Sequence, residues 1–158
     1  MPKKKTWREK LADNKDLPKV VPIRGKGELH WGKGTIAIPA PLEVDALMRS
    51  VPVHSVITMD VMRSCIARKH GATIGCPLTT GIFAWLAAHA AEEAAVNGAA
   101  DITPYWRTLK SGGQLNPKYP GGIEAQKEPL EAEGHQIRQK GKRYVVADYE
   151  KALFHPSA

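Results

Sequence analysis

The chain has 158 residues, of which 42% are hydrophobic and 6% aromatic, with a formal net charge of +7 and two cysteines. This length favours one domain with a core large enough to fold unaided, and Cys65 and Cys76 fit neither a disulfide framework nor a metal site. No apolar run approaches the roughly 20 residues of a membrane span, and no apolar segment follows the basic N-terminus, so we expect a cytoplasmic protein without a membrane partner.

The positive charge is concentrated at the two ends of the chain. Residues 1–26 hold nine Lys and Arg against three acids, and residues 138–158 hold five against two. Lys and Arg release counterions when they bind nucleic-acid phosphates. The distribution therefore favours a polyanionic partner, although the first five residues suit a solubilising tail equally well.

The N-terminal part of the chain predicts short helices and strands. Thr6 is placed to cap a helix over 7–13, with Glu9 at the capping-box position. Apolar spacing predicts another helix over 41–49. Two apolar runs between these helices predict short strands joined by a glycine-containing turn region, with the strands at 20–23 and 35–38 and the turn at 25–34.

The middle of the chain has the outline of a helix-turn-helix. Thr58 is a predicted N-cap for a helix over 59–70, which Gly71 would end. Pro77 fits the first turn of a second helix, over 77–96. Two helices joined by a short glycine-containing turn are typical of this DNA-binding motif, whose second helix is the recognition helix.

The C-terminal part predicts a loop or wing, a helix and a basic hairpin. Gly121 and Gly122 precede the predicted helix, and Gly134 ends it. Gly141 marks the hairpin turn, and Asp148 is a predicted cap for a last short helix. The predicted ranges are 99–121 for the loop, 123–133 for the helix, 136–147 for the hairpin and 149–154 for the last helix.

Four motifs in this half of the chain are similar to those of a known family. They are Pro104-Tyr105-Trp106-Arg107, Gly113-Gln114-Leu115, Tyr119-Pro120-Gly121-Gly122 and Leu130-Glu131-Ala132-Glu133-Gly134-His135. Together they resemble the active-site half of the alkylguanine-DNA alkyltransferases, which carry Pro-Cys-His-Arg, Gly-x-Leu, Tyr-Ser-Gly-Gly and Leu-x-x-Glu-Gly. The resemblance covers residues 54–137. Because Tyr105 stands at the position of the acceptor cysteine, the chain looks like the alkyltransferase-like branch of the family.

This resemblance implies both a fold and a function. The implied fold is mainly α with small β elements: a winged helix-turn-helix DNA-binding domain over 41–158, preceded by a basic N-terminal extension with short strands over 1–40. The implied partner is double-stranded DNA, with or without an alkylated guanine, which would make the protein nucleoid-associated. The family flips the alkylated guanine into a pocket. The resemblance further implies that the lesion is signalled to downstream repair proteins. We expect no cofactor.

The resemblance also implies which residues form the lesion pocket. Tyr105 and Trp106 replace the family's nucleophile and its histidine. A phenol with a pKa of about 10 is a poor nucleophile at neutral pH, and an indole cannot accept a proton as histidine does, so transfer by the family route is not expected. An aromatic ring can still stack on a flipped base, and the alternative is that both rings fill the core. The predicted lesion pocket comprises Tyr105, Trp106, Arg107, Tyr119 and Glu133.

A second set of residues is predicted to contact DNA. Met59 stands where the family has a tyrosine that crowds the phosphate, and Leu78 stands where it inserts an arginine. A leucine can wedge between bases, as apolar side chains do in DNA-bending proteins. The predicted DNA-binding residues are Met59, Arg63, Leu78, Thr79, Thr80, Lys110 and Lys118, and the basic run 138–143 is expected to grip phosphates.

Three further interpretations stay open at this point. Cys76 precedes Pro77 at a helix N-terminus, where the helix dipole lowers a thiol pKa, so it is a possible relocated nucleophile or a small buried hydrophobe. The domain could also be a winged-helix regulator without lesion recognition. Gly25-Lys26-Gly27 and Gly32-Lys33-Gly34 either touch the DNA backbone or are turns only.

The six histidines show no metal-ligand spacing, so no metal is predicted.

Overall fold

The computed structural model describes residues 4–156. Within this part of the chain, helices provide most of the regular structure: α1 (Trp7–Ala12), α2 (Lys26–Trp31), α3 (Pro41–Arg49), α4 (Met59–His70), α5 (Pro77–Val96) and α6 (Gly122–Ala132). The strands are short: β1 (Lys19–Pro22), β2 (Thr35–Ile38), β3 (Ile57–Thr58), β4 (Ile74–Gly75), β5 (Thr108–Leu109), β6 (Ile137–Lys140) and β7 (Arg143–Val146). The predicted mainly α fold with small β elements is confirmed. Over residues 4–156, no helix combines the length and apolarity that a membrane span needs.

The strands form three small sheets. In the first, β2 lies between β1 and β4, antiparallel to β1 and parallel to β4. In the second, β3 and β5 pair in parallel, which brings the segment that follows the Tyr105-Trp106-Arg107 motif next to the start of α4. In the third, β6 and β7 form the predicted basic hairpin.

The first helix forms at its predicted capping box and is anchored to α5. The Thr6 hydroxyl accepts from the Glu9 N–H at 3.1 Å, and the Glu9 carboxylate accepts from the Thr6 N–H at 3.0 Å. The Glu93 carboxylate on α5 accepts from the Trp7 N–H at 3.1 Å and from the Arg8 N–H at 3.2 Å. Because a helix start leaves backbone donors without partners, this carboxylate stabilises α1 on α5.

Two predictions of local structure need correction. The segment 25–34 is not only a turn, because α2 occupies most of it. This six-residue helix buries none of its residues, so it shows no apolar periodicity that a sequence pattern could reveal. The last predicted helix is a short 3-10 helix over Tyr149–Ala152, and the Asp148 side chain does not cap it.

The helix-turn-helix forms where the sequence predicts it. The Thr58 hydroxyl accepts from the Val61 N–H at 3.4 Å, and Gly71 ends α4 with a φ of +62°. Six residues later, Pro77 begins α5. Gly75 in this turn lies against the backbone of Arg63, whose Nε donates to the Gly75 carbonyl oxygen at 3.1 Å.

We expect Gly75→Ala to lower the free energy of unfolding by about 1–3 kcal/mol, because overpacking against rigid backbone forces the chain to shift. A Cβ at Gly75 would lie 2.9 Å from the Arg63 Cα and still closer to its carbonyl oxygen. Gly81→Ala is the matched control, since a Cβ there meets nothing within 4 Å. Urea denaturation of the two variants measures the difference, and equal stabilities would contradict this account.

Two hydrophobic cores meet at the motif that resembles the family's active site. The larger core packs α3, α4 and α5 together and includes Met48 and Met62. The smaller core includes Leu109, Leu130 and other residues of the C-terminal segments. Trp106 packs against both cores, so the fold holds this motif at their junction.

Candidate nucleic-acid interface and base-binding cleft

The Glu133 carboxylate is the centre of a hydrogen-bond network behind the motif. Its two oxygens accept from Arg107 Nε and Nη2, both at 2.9 Å, in a two-point ion pair. The Trp106 Nε1–H donates to the same carboxylate at 2.9 Å. Arg107 Nη1 also donates to the Val51 carbonyl oxygen at 2.8 Å. Both charged side chains are only 12% exposed, so each depends on the other for compensation of its charge.

The network shifts the pKa values of two groups. Burial raises the pKa of Glu133, but the hydrogen bonds from Arg107 and Trp106 outweigh burial and hold the pKa below its ordinary value. Burial lowers the pKa of His135, although the neighbouring Glu133 carboxylate opposes this effect. Glu133 is therefore ionised at neutral pH, and the Trp106 indole that donates to it cannot act as a base.

Three aromatic rings pack together beside this network. Tyr105 contacts Trp106 and Tyr119 edge to face, with ring centroids 5.6 Å apart in both pairs. Burial raises the pKa of the Tyr105 phenol, and the nearby negative charge of Glu92 adds to the effect. Tyr105 therefore stays protonated at neutral pH, which makes it a poor nucleophile.

The hydroxyl of Tyr119 makes no hydrogen bond of full geometry among the described residues, although the Asn116 side chain lies near enough to oppose part of the rise in its pKa. The side chain is only 2% exposed, and burial raises the pKa of its phenol far above the ordinary range. A buried hydroxyl without a partner costs free energy in the unbound protein. It is therefore a donor that a bound ligand could satisfy.

A cleft of about 680 Å³ opens between the start of α5 and the loop that precedes Tyr119. Leu78, Ile82 and Trp85 line it from the helix, at spacings that place all three on one helical face. Pro77, Gly81, Asn116 and Lys118 complete the lining. The sequence predictions include Leu78 and Lys118 but miss Ile82, Trp85 and Asn116. The spacing of Leu78, Ile82 and Trp85 on one face was the signal that could have identified the helix wall.

A buried glutamine on α6 positions the opposite wall. The Gln126 Oε1 accepts from the Asn116 N–H at 2.7 Å. Its Nε2 donates to the carbonyl oxygens of Trp106 at 3.2 Å and Thr108 at 3.3 Å. Gln126 thus links the cleft loop to the motif through three hydrogen bonds. Sequence reasoning missed it because a glutamine in a helix ordinarily faces solvent.

The predicted DNA-binding residues differ in exposure. Lys110 and Lys118 are exposed, and Leu78 is 70% exposed at the start of α5. Met59 and Thr79 are half-buried. Their roles at DNA stay predictions.

Two of the predicted DNA-binding residues, Thr80 and Arg63, form hydrogen bonds within the protein. The prediction that Thr80 faces DNA is wrong, because its side chain is fully buried and its hydroxyl donates to the Cys76 carbonyl oxygen at 2.6 Å. Thr80 follows Thr79 on the helix and therefore points to a different face. The Arg63 guanidinium is held by the Gly75 carbonyl and lies 4.0 Å from the Asp60 carboxylate, which leaves it fewer free donors for a phosphate.

Neither cysteine lines the cleft. Cys76 precedes α5 and is half-buried, with its N–H donated to the Ala37 carbonyl oxygen at 2.9 Å. Cys65 is half-buried on α4, where its Sγ accepts from Arg68 at 3.4 Å. Within residues 4–156, no group of three His, Cys, Asp or Glu side chains is arranged to hold a metal ion.

Solved structures with similar folds come from a fission yeast. The chain is similar to S. pombe ATL in complex with DNA, with a TM-score of 0.53 and 21% identity over 73% of this chain and 94% of that one. It is also similar to S. pombe Atl1 in complex with damaged DNA containing O6-carboxymethylguanine, with a TM-score of 0.48 and 20% identity over the same shares. No family model and no curated protein matches the sequence. The chain therefore has the helix-turn-helix fold of the alkyltransferase-like proteins.

Proposed function

We propose that the protein binds double-stranded DNA through α4 and α5, and that it holds an alkylated guanine in the cleft beside α5 without removing the alkyl group. In this role it marks lesions for other repair factors. The single observation that carries the proposal is the apolar cleft between the start of α5 and the loop that leads into Tyr119, whose lining contains no cysteine. A cleft that can hold a base, without a thiol in its lining, fits recognition rather than transfer.

The composition of the cleft supports binding of an extruded base. Its helix wall is formed by Leu78, Ile82 and Trp85, and aromatic rings stack on bases with about 1–3 kcal/mol per base. Leu78 is exposed at the N-terminal end of α5, where an apolar side chain can take the space that the base leaves in the duplex. The S. pombe ATL structure that shares this fold is a complex with DNA.

The network behind the cleft supports a binding protein over an enzyme. In nucleophilic catalysis a carboxylate orients a base, and the base activates the nucleophile. Here Glu133 accepts a hydrogen bond from the Trp106 indole, which can donate a proton to a hydrogen bond but cannot act as a base. The buried Tyr105 phenol resists ionisation. With Trp106 in place of a base and Tyr105 in place of a thiol, the fold is kept without groups suited to alkyl transfer.

An active alkyltransferase that uses Cys76 is the alternative from another class. Cys76 does not line the cleft, so a base held there would not face its thiol. Intact mass after incubation with duplex containing O6-methylguanine separates the two functions. We expect an unchanged mass, whereas a gain of one methyl group would establish transfer.

The lesion-binding function is tested by competition binding at moderate salt. A duplex with one O6-methylguanine competes with the same duplex unmodified. We expect a preference for the modified duplex of about tenfold or more, equivalent to about 1.4 kcal/mol. Equal affinity for the two duplexes would contradict lesion recognition, and a preference for particular undamaged sequences would favour a winged-helix regulator.

Tyr119→Phe tests the buried tyrosine at the end of the cleft loop without emptying the core. The variant removes a hydroxyl that makes no hydrogen bond of full geometry in the unbound protein and lies near the Asn116 side chain, so we expect folding stability to change by less than about 1 kcal/mol. If this hydroxyl donates to the base, lesion preference falls about three- to tenfold while affinity for intact DNA is unchanged. Tyr149→Phe is the control, since this tyrosine packs against the smaller core and belongs neither to the cleft lining nor to the Tyr105–Tyr119 pair. An unchanged preference in Tyr119→Phe would exclude the hydroxyl as a contact.

A further inference from the structure

The sheet β1-β2-β4 joins the N-terminal segment to the turn of the helix-turn-helix. The Cys76 N–H donates to the Ala37 carbonyl oxygen at 2.9 Å, and the Thr73 N–H donates to the Thr35 carbonyl oxygen at 3.0 Å. The Thr35 N–H in turn donates to the Thr73 hydroxyl at 3.0 Å. Strand β2 therefore pairs with the turn itself, directly before the recognition helix.

The segment 23–34, which connects β1 to β2, leaves the sheet at this turn. A Cβ at Gly34 would lie 2.9 Å from the Thr73 Cβ, so the end of the segment packs tightly on the turn. Its start is anchored by Ile23, which is buried and donates its N–H to the Gly34 carbonyl oxygen at 2.9 Å. The two ends thus fix the base of the segment at the turn between α4 and α5.

The side chains of this segment are cationic and free. Arg24, Lys26 and Lys33 are exposed, and none of them forms an ion pair or a side-chain hydrogen bond within residues 4–156. The segment holds one carboxylate, Glu28. By contrast, Arg63 and Lys69 on α4 are close to the Asp60 and Glu43 carboxylates.

Helix α2 within the segment contributes nothing to the core. None of its residues is buried, and Leu29 is 90% exposed. The helix therefore presents its side chains to solvent, and folding of the domain does not explain its composition. The three unpaired cations of this exposed segment could bind a polyanion, such as DNA, that is also bound to the neighbouring helix-turn-helix.

We propose that segment 23–34 is a second contact to the DNA backbone, in which Arg24, Lys26 and Lys33 bind phosphates next to those held by the helix-turn-helix. The contact rests on the proposed DNA-binding function and extends it beyond the cleft. It carries no sequence or lesion information, because phosphates are the same at every base pair. The contact therefore raises the affinity for any duplex and makes this affinity more dependent on salt concentration.

The test compares two charge-matched double variants. Lys26→Gln with Lys33→Gln removes two cations of the segment, and Lys127→Gln with Lys151→Gln removes two lysines outside the helix-turn-helix and the sheet. Affinity for intact and O6-methylguanine duplexes is measured against salt concentration, after thermal melting confirms that both proteins fold. We expect the slope of log K against log[salt] to become shallower by about 2 in the segment variant. Its affinity at 0.1 M salt falls roughly tenfold or more for both duplexes, and lesion preference is unchanged.

Three results would overturn the inference. A segment variant with the wild-type slope shows that these lysines touch no phosphate. An equal loss in the Lys127/Lys151 variant shows that only net charge matters. A loss of lesion preference without a change of slope would place the segment at the base rather than the backbone. Wild-type protein that binds no duplex would instead refute the proposed function itself, so the two failures are distinguishable.

Discussion

Glu133→Ala is expected to lower the free energy of unfolding by about 3–5 kcal/mol at pH 7, because it leaves the Arg107 guanidinium buried without its counter-charge. The variant also removes the acceptor of the Trp106 indole N–H. Both side chains of the ion pair are 12% exposed, so water can replace little of what is lost. Urea denaturation measures the effect.

Glu131→Ala is the matched control for this variant. Glu131 is an exposed residue of the same helix and forms no ion pair within the described residues, so its loss is expected to change stability by less than about 0.5 kcal/mol. Similar losses in the two variants would show that the Glu133 network does not stabilise the fold. A wild-type free energy of unfolding in Glu133→Ala would also show that the Glu133 network does not stabilise the fold.

The contribution of Glu133 is expected to depend on pH. Its pKa in the folded protein is lowered, so the folded state binds this proton less tightly than the unfolded state does. The stabilisation is therefore fully present above the ordinary carboxyl pKa and is lost as the pH falls through the lowered folded-state value. Comparison of wild type with Glu133→Gln should show a stability gap at pH 7 that narrows in acid. A constant gap from pH 7 to pH 3 would contradict the ionised network.

Gln126→Met is expected to lower the free energy of unfolding by about 3 kcal/mol, although the two side chains have similar volumes. Methionine fills the space but leaves the Asn116 N–H and the carbonyl oxygens of Trp106 and Thr108 without their partner. Each buried group that loses its hydrogen bond costs about 1–3 kcal/mol. The Gln126 side chain is fully buried, so solvent does not replace these bonds.

Gln126→Met is also expected to reduce the preference for modified over intact duplex more than it reduces the affinity for intact duplex. Asn116 belongs to the wall of the cleft, and Gln126 holds it in place. Competition binding should therefore show reduced lesion preference with little change in binding of intact duplex. Gln136→Met, at an exposed position, controls for the change of residue type. Wild-type lesion preference in Gln126→Met would show that this wall does not contact the base.

The sequence by itself determined the local structure around the helix-turn-helix. Thr58, Gly71 and Pro77 specify helix ends through hydrogen bonding, positive φ and a fixed backbone angle, all of which act within one turn of the chain. The bounds of α4 and α5 were predictable for this reason. The motif with Tyr105, Trp106 and Arg107 likewise indicated the alkyltransferase-like fold.

Only the tertiary structure decided which side chains meet. Ile82 and Trp85 line the cleft because the loop at Asn116 packs opposite α5, and Gln126 is buried because three backbone groups face it. The Thr80 side chain is fully buried, although Leu78, two residues earlier on the helix, is 70% exposed. The pairing of β2 with β4 placed the end of the basic segment 23–34 at the turn between α4 and α5. These arrangements depend on contacts between residues far apart in the chain, and local patterns carry no record of such contacts.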